Sequence, residues 1–67
     1  MSIFTGKIKD VVLTVEGIKF DLKERSGEVI SLIHRDCFNL DILQISQKSE
    51  FIVNCYTNGS ECLEFHV

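Results

Sequence analysis

Residues Glu50–Val67 read EFIVNCYTNGSECLEFHV, and this stretch decides the fold. Asn58-Gly59 sits between two runs rich in branched and aromatic side chains, which fit a pleated, half-buried surface. Asn-Gly is the preferred centre of a two-residue type I′ hairpin, because both central residues need positive φ. Such a turn fixes the register. It places Tyr56 opposite Glu61, Cys55 opposite Cys62, Asn54 opposite Leu63 and Ile52 opposite Phe65. One face then carries Ile52, Tyr56, Leu63, Phe65 and Val67. The other carries Phe51, Val53, Cys55 and Cys62. Both faces are apolar.

Upstream, Val11, Leu13 and Val15 alternate before Glu16-Gly17, and Ile18, Phe20 and Leu22 alternate after it. A two-residue turn at Glu16-Gly17 would unite these six on one face. Glu at a positive-φ position is unfavourable, and a type I turn with Gly17 in a bulge is the competing register. A third strand is expected at about Glu28–His34, after Glu24-Arg25-Ser26-Gly27, which suits a type I turn with Gly in the left-handed position. Residues 37–46 fit two patterns. Phe38, Ile42 and Ile45 have helical spacing, with Asp36 or Asn39 as cap; Asp41, Leu43 and Ile45 fit strand alternation. The sum is a single all-β domain over residues 1–67, with one short helix or a further strand around 37–46. The architecture is a small five- or six-stranded antiparallel barrel, OB-like or SH3-like.

Composition agrees. The chain of 67 residues has no Ala and no Pro, and it is 45% hydrophobic and 25% charged. That is a globular balance. The net charge is −3, unlike the basic total of most free-standing nucleic-acid binders. Its distribution is uneven: residues 1–35 hold six Lys/Arg and five Asp/Glu, residues 36–67 one Lys and five Asp/Glu. No apolar run has the length of a signal peptide core or a membrane span. The expected setting is therefore a reducing cytoplasm, where three cysteines are free thiols and the Asn58-Gly59-Ser60 sequon goes unused.

No motif names an activity. His34-Arg35-Asp36 spells part of a kinase catalytic loop, but no Gly-rich phosphate loop or Asp-Phe-Gly accompanies it. A Cys37, Cys55, Cys62 and His set lacks the close Cys pairs of zinc sites. His66 lies four residues along a strand from Cys62, roughly 13 Å away. No enzyme, cofactor or metal is expected.

The feature of most weight is apolar excess. The C-terminal hairpin, Val11-Val12-Leu13 and Ile30–Ile33 place bulky side chains on both sides of their strands. So short a chain has no second layer to cover an outer face. Either the 37–46 segment folds over it, or a protein partner or second copy does. The expected function is a small regulator or adaptor that binds a protein partner through an apolar strand face or free edge, with Ile33, Phe51, Val53 and Cys55 as contact residues. The alternative is a small-barrel binder of single-stranded DNA or RNA, using Lys19, Lys23, Arg25 and Arg35. Lys7 and Lys9 could extend that strip, and Asp21 interrupts it.

Overall fold

The computed structural model describes residues 1–67. Five strands form, β1 (Ser2–Thr14), β2 (Gly17–Glu24), β3 (Val29–His34), β4 (Ile52–Asn58) and β5 (Glu61–His66). A 3₁₀ turn at Cys37–Asn39 leads into α1 (Leu40–Lys48), between β3 and β4. The strands close in the order β1-β2-β3-β5-β4. This is a small all-β barrel with one short helix, as expected. A helix between β3 and β4 and contact of β3 with β5 give the OB arrangement, an architecture that does not by itself define a function. Four neighbouring pairs are antiparallel, but β3 and β5 run parallel and share one residue pair, Ile33 with Glu61.

β1 makes closure possible. Its first half pairs with β4 and the rest with β2, so the strand must bend between the two. Gly6 stands at that corner, paired with both Glu24 and Val53. A bulge follows between Lys9 and Val12, with Asp10 at φ 53°. The extra residue accentuates the twist and swings β1 along the barrel wall. The amide of Val11 in the bulge donates to Gln47 Oε1 of α1 at 3.2 Å. The bulge therefore also anchors the helix.

Two turns differ from expectation. The first hairpin turns at Val15-Glu16, with Thr14 paired to Gly17. Gly17, at φ 140°, takes the positive φ that Glu16 would have resisted. Ile18, Phe20 and Leu22 point inward as anticipated, but after the bulge Leu13 and Val15 are exposed. The second hairpin turns at Gly59-Ser60, one residue later than Asn58-Gly59. Only Gly59 has positive φ, at 61°, which is the II′ pattern of Gly at the first central position. A bulge at Leu63 then shifts the pairing again, so Cys62 faces Thr57 and Cys55 faces Phe65. At Arg25-Ser26 the turn is as expected: the Gly27 amide donates to Glu24 O at 2.9 Å, with Gly27 at φ 95°.

The core holds Ile8, Ile18, Phe20, Leu22, Leu32, Leu43, Val53, Cys55 and Cys62. α1 contributes Leu43 to it and packs Leu40 against it. Its last turn closes by a Schellman pair of bonds, Phe51 N to Ser46 O at 3.1 Å and Glu50 N to Gln47 O at 3.2 Å.

Candidate partner-binding surfaces

The four expected contact residues do not form one surface. Val53 and Cys55 have no exposed area; they line the barrel interior and belong to the core. Ile33 is half-buried on the outer wall, opposite Lys19. Phe51 is exposed just before β4, away from Ile33. The two-sided apolar character of the C-terminal hairpin is real. Its inner side builds the core, and its outer side shows Ile52 and Leu63.

The larger uncovered apolar surface lies on α1 and beside it. The helix buries Leu43 and Ser46 and half-buries Leu40 and Gln47. Phe38, Ile42 and Ile45, spaced i, i+4, i+7, therefore lie on its other side, where they are 97%, 46% and 55% exposed. Of the two outcomes weighed for this segment, covering the outer strand face or leaving it to a partner, the helix does neither alone. It spends Leu40 and Leu43 on the core and adds an apolar stripe of its own.

Next to this stripe a shallow groove runs between α1 and β5. Ile42, Leu63 and Phe65 are its apolar lining, and Asp36 and Glu64 its carboxylates. His34 and Asn39 sit at its base. The buried His34 ring joins three elements. Nδ1 faces the Cys62 carbonyl at 2.8 Å and therefore carries the proton. Nε2 then accepts from the Asn39 amide at 2.8 Å. The ring meets Phe65 edge-on, with centroids 5.1 Å apart. His34 is thus a structural clasp between β3, the 3₁₀ turn and β5.

The basic residues gather on the opposite side. Lys7 and Lys9 of β1 and Lys19 and Lys23 of β2 share a wall, Arg25 lies in the following turn, and Arg35 follows β3. Lys7 is directly paired with Lys23, and like charges opposite one another destabilise a sheet. Lys7 is relieved by Glu50 at 3.7 Å. Arg35 is tied to Glu61 at 3.5 Å. Asp21, which the sequence places inside the strip, accepts from Ser31 at 2.8 Å on the same wall. Phe20 is buried, so it offers no stacking platform here. Asp10, Glu16, Asp21 and Glu24, with the ion-paired Glu50 and Glu61, set six carboxylates against the six cations, so this side carries mixed charge and no net positive excess.

All three cysteines are free, Cys37 exposed and the other two buried. The Cys55 thiol donates to Cys62 and is desolvated; both effects push its pKa well above the ordinary thiol value. No group of three His, Cys, Asp or Glu side chains is placed to hold a metal ion. No helix is long and apolar enough to cross a membrane. No family model, curated protein or solved structure matches the chain.

Proposed function

We propose that this protein is a non-enzymatic interaction module, a small regulator or adaptor of the reducing cytoplasm, that binds a protein partner or a second copy through the outer side of α1 and the adjoining β5. The observation that supports this is the exposed apolar stripe of Phe38, in the 3₁₀ turn, with Ile42 and Ile45 on α1, a helix whose other side already serves the core. Covering these side chains would contribute about 1.5–3 kcal/mol each. Phe38 makes no such contribution to the isolated fold. Affinity capture from the native cell, beside sedimentation of the pure protein, tests the reading. Wild type should retain a partner or self-associate, and Phe38→Glu with Ile42→Glu should lose that contact while staying folded. Equal retention by the double variant would refute it.

A second reading has its own observation, the direct pairing of Lys7 with Lys23 on a wall that also carries Lys9 and Lys19. That wall would suit the phosphates of a single-stranded nucleic acid. Fluorescence anisotropy with a labelled oligonucleotide decides. Binding that falls steeply with salt supports the reading, and absence of binding at low salt removes it.

A further inference from the structure

We infer that the groove between β5 and α1 accepts an extended segment of the partner as an added strand on β5, and that this segment alternates apolar with basic residues. The inference rests on the interaction-module reading and names the chemistry of the partner.

Three observations carry it. The barrel is sealed between β3 and β5 by one residue pair, Ile33 with Glu61, and by the Ile33 amide donating to Ser60 O at 2.9 Å. The next carbonyl on that edge, that of Cys62, is taken by His34. Beyond it, Leu63–His66 has β4 as its only strand neighbour. An edge left open in this way is a template for strand addition.

The walls beside that edge are of the right kind. Ile42 and Leu63, 46% and 44% exposed, flank the groove, and half-buried Phe65 lies along it. An added strand projects alternate side chains to opposite sides. Those turned toward α1 would meet this apolar lining.

Charge selects the partner's other residues. Asp36, Glu64 and His66 line the groove; His66 Nε2 lies 3.0 Å from Glu64 Oε1, and Asp36 has no basic partner. Residues 36–67 hold a single cation, Lys48, against five carboxylates. The one nearby guanidinium, Arg35, is already engaged by Glu61. A strand with lysines or arginines between its apolar residues is complementary to this rim, and an acidic strand is not.

The probe is a fluorescein-labelled heptapeptide alternating lysine with valine and isoleucine, titrated by anisotropy into the whole protein. Two companions are a copy N-methylated at alternate amides, and a copy with glutamate in place of lysine. The unmodified peptide should bind, each companion at least ~10-fold more weakly, because main-chain bonds supply affinity in this mode. Ile42→Glu in the protein should weaken the unmodified peptide. Amide exchange at Leu63–His66 should slow when the peptide is saturating. Equal binding of the N-methylated copy would overturn strand addition yet leave the capture result of the interaction reading untouched. Equal binding of the glutamate copy would overturn the choice of a basic segment, and no binding of the unmodified peptide would overturn the proposal as a whole.

Discussion

A methyl group at position 6 would lie 2.7 Å from the Lys23 carbonyl carbon, closer than real side chains come. The obstruction is backbone of the neighbouring strand, so nothing flexible can yield. Gly6→Ala should cost about 1–3 kcal/mol, lowering the melting midpoint by roughly 4–8 °C per kcal/mol in a domain of this size. Gly59→Ala is the contrast: open space surrounds it, and only its φ of 61° resists. It should cost about 1–2 kcal/mol, and calorimetry on the two variants separates crowding from backbone conformation. The buried thiols make a different prediction. A proton shared with Cys62, and desolvation, hold Cys55 protonated above the ordinary value of 9.0 while the same sharing lowers Cys62, so above 9.0 the folded pair keeps one proton. Once the pH passes that value the unfolded chain releases this proton and the folded chain does not. The Cys55 contribution to stability is thus fully present below pH 9.0 and is lost above it, at a slope near ~1.4 kcal/mol per pH unit. Urea titrations of wild type and Cys55→Ala between pH 8 and 10.5 check the sign, since the variant should lose less. The cysteines' free state was legible from their odd number. Their neighbourhood was not, because it depends on a bulge.

At the level of elements, α1 ends on a residue poorly suited to its place. Glu50 has φ 55° at the position after the cap, where a Schellman ending usually takes Gly. Glu50→Gly should raise stability by about 0.5–1 kcal/mol, net of its exposed 3.7 Å pair with Lys7, which is worth only a few tenths. A higher urea midpoint at unchanged slope would confirm it; a lower one would show that the Lys7 pair outweighs the strain. The missing Gly also explains why the helix end was hard to read. The signal that marks such an ending is absent from Ser49-Glu50-Phe51. The spacing of Phe38, Ile42 and Ile45 allowed a helix beside a strand, and the helix forms, with these three residues turned away from the core. Leu40 and Leu43 form a second apolar stripe, and sequence alone does not rank the two. The 3₁₀ turn and the bulge at Asp10 decide the rotation of the helix, through the Gln47 bond to the Val11 amide. Asn58-Gly59 marked the second hairpin, but a one-residue displacement and the Leu63 bulge changed which residues face one another. The inward set Val53, Cys55 and Cys62 survived, because moving the turn by one residue shifts facing pairs by two and keeps parity; the Leu63 bulge flips parity only beyond Cys62, which turns Phe65 toward the core.

On the scale of the whole molecule, the barrel is strong everywhere but one seam. β1 and β2 share a long ladder, β2 and β3 pair along their length, and β1 grips β4 through Lys7. Between β3 and β5 stand one ladder pair, the Arg35–Glu61 ion pair and the His34 clasp. The turn signal Glu24-Arg25-Ser26-Gly27 announced a strand at about Glu28–His34, but the closing contact joins residues far apart in sequence and has no local signature. Neither does the clasp: His34 reads as a polar strand end until the fold sets it against the Cys62 carbonyl. Phe can fill the volume of the imidazole and keep the edge contact with Phe65, but it cannot donate to Cys62 or accept from Asn39. His34→Phe should therefore leave a buried carbonyl unpaired, at a cost of about 1–3 kcal/mol. The loss should be local before it is global. The Ile33 amide, bonded to Ser60 O across the seam, should exchange much faster in the variant, while amides of Phe20 and Leu22 inside the β1–β2–β3 sheet should change only as far as global stability falls. Native-state hydrogen exchange by NMR reads both sets in one experiment. Uniform acceleration across the sheet and the seam would mean that the barrel opens as a single unit, with no weak side for a partner strand to enter.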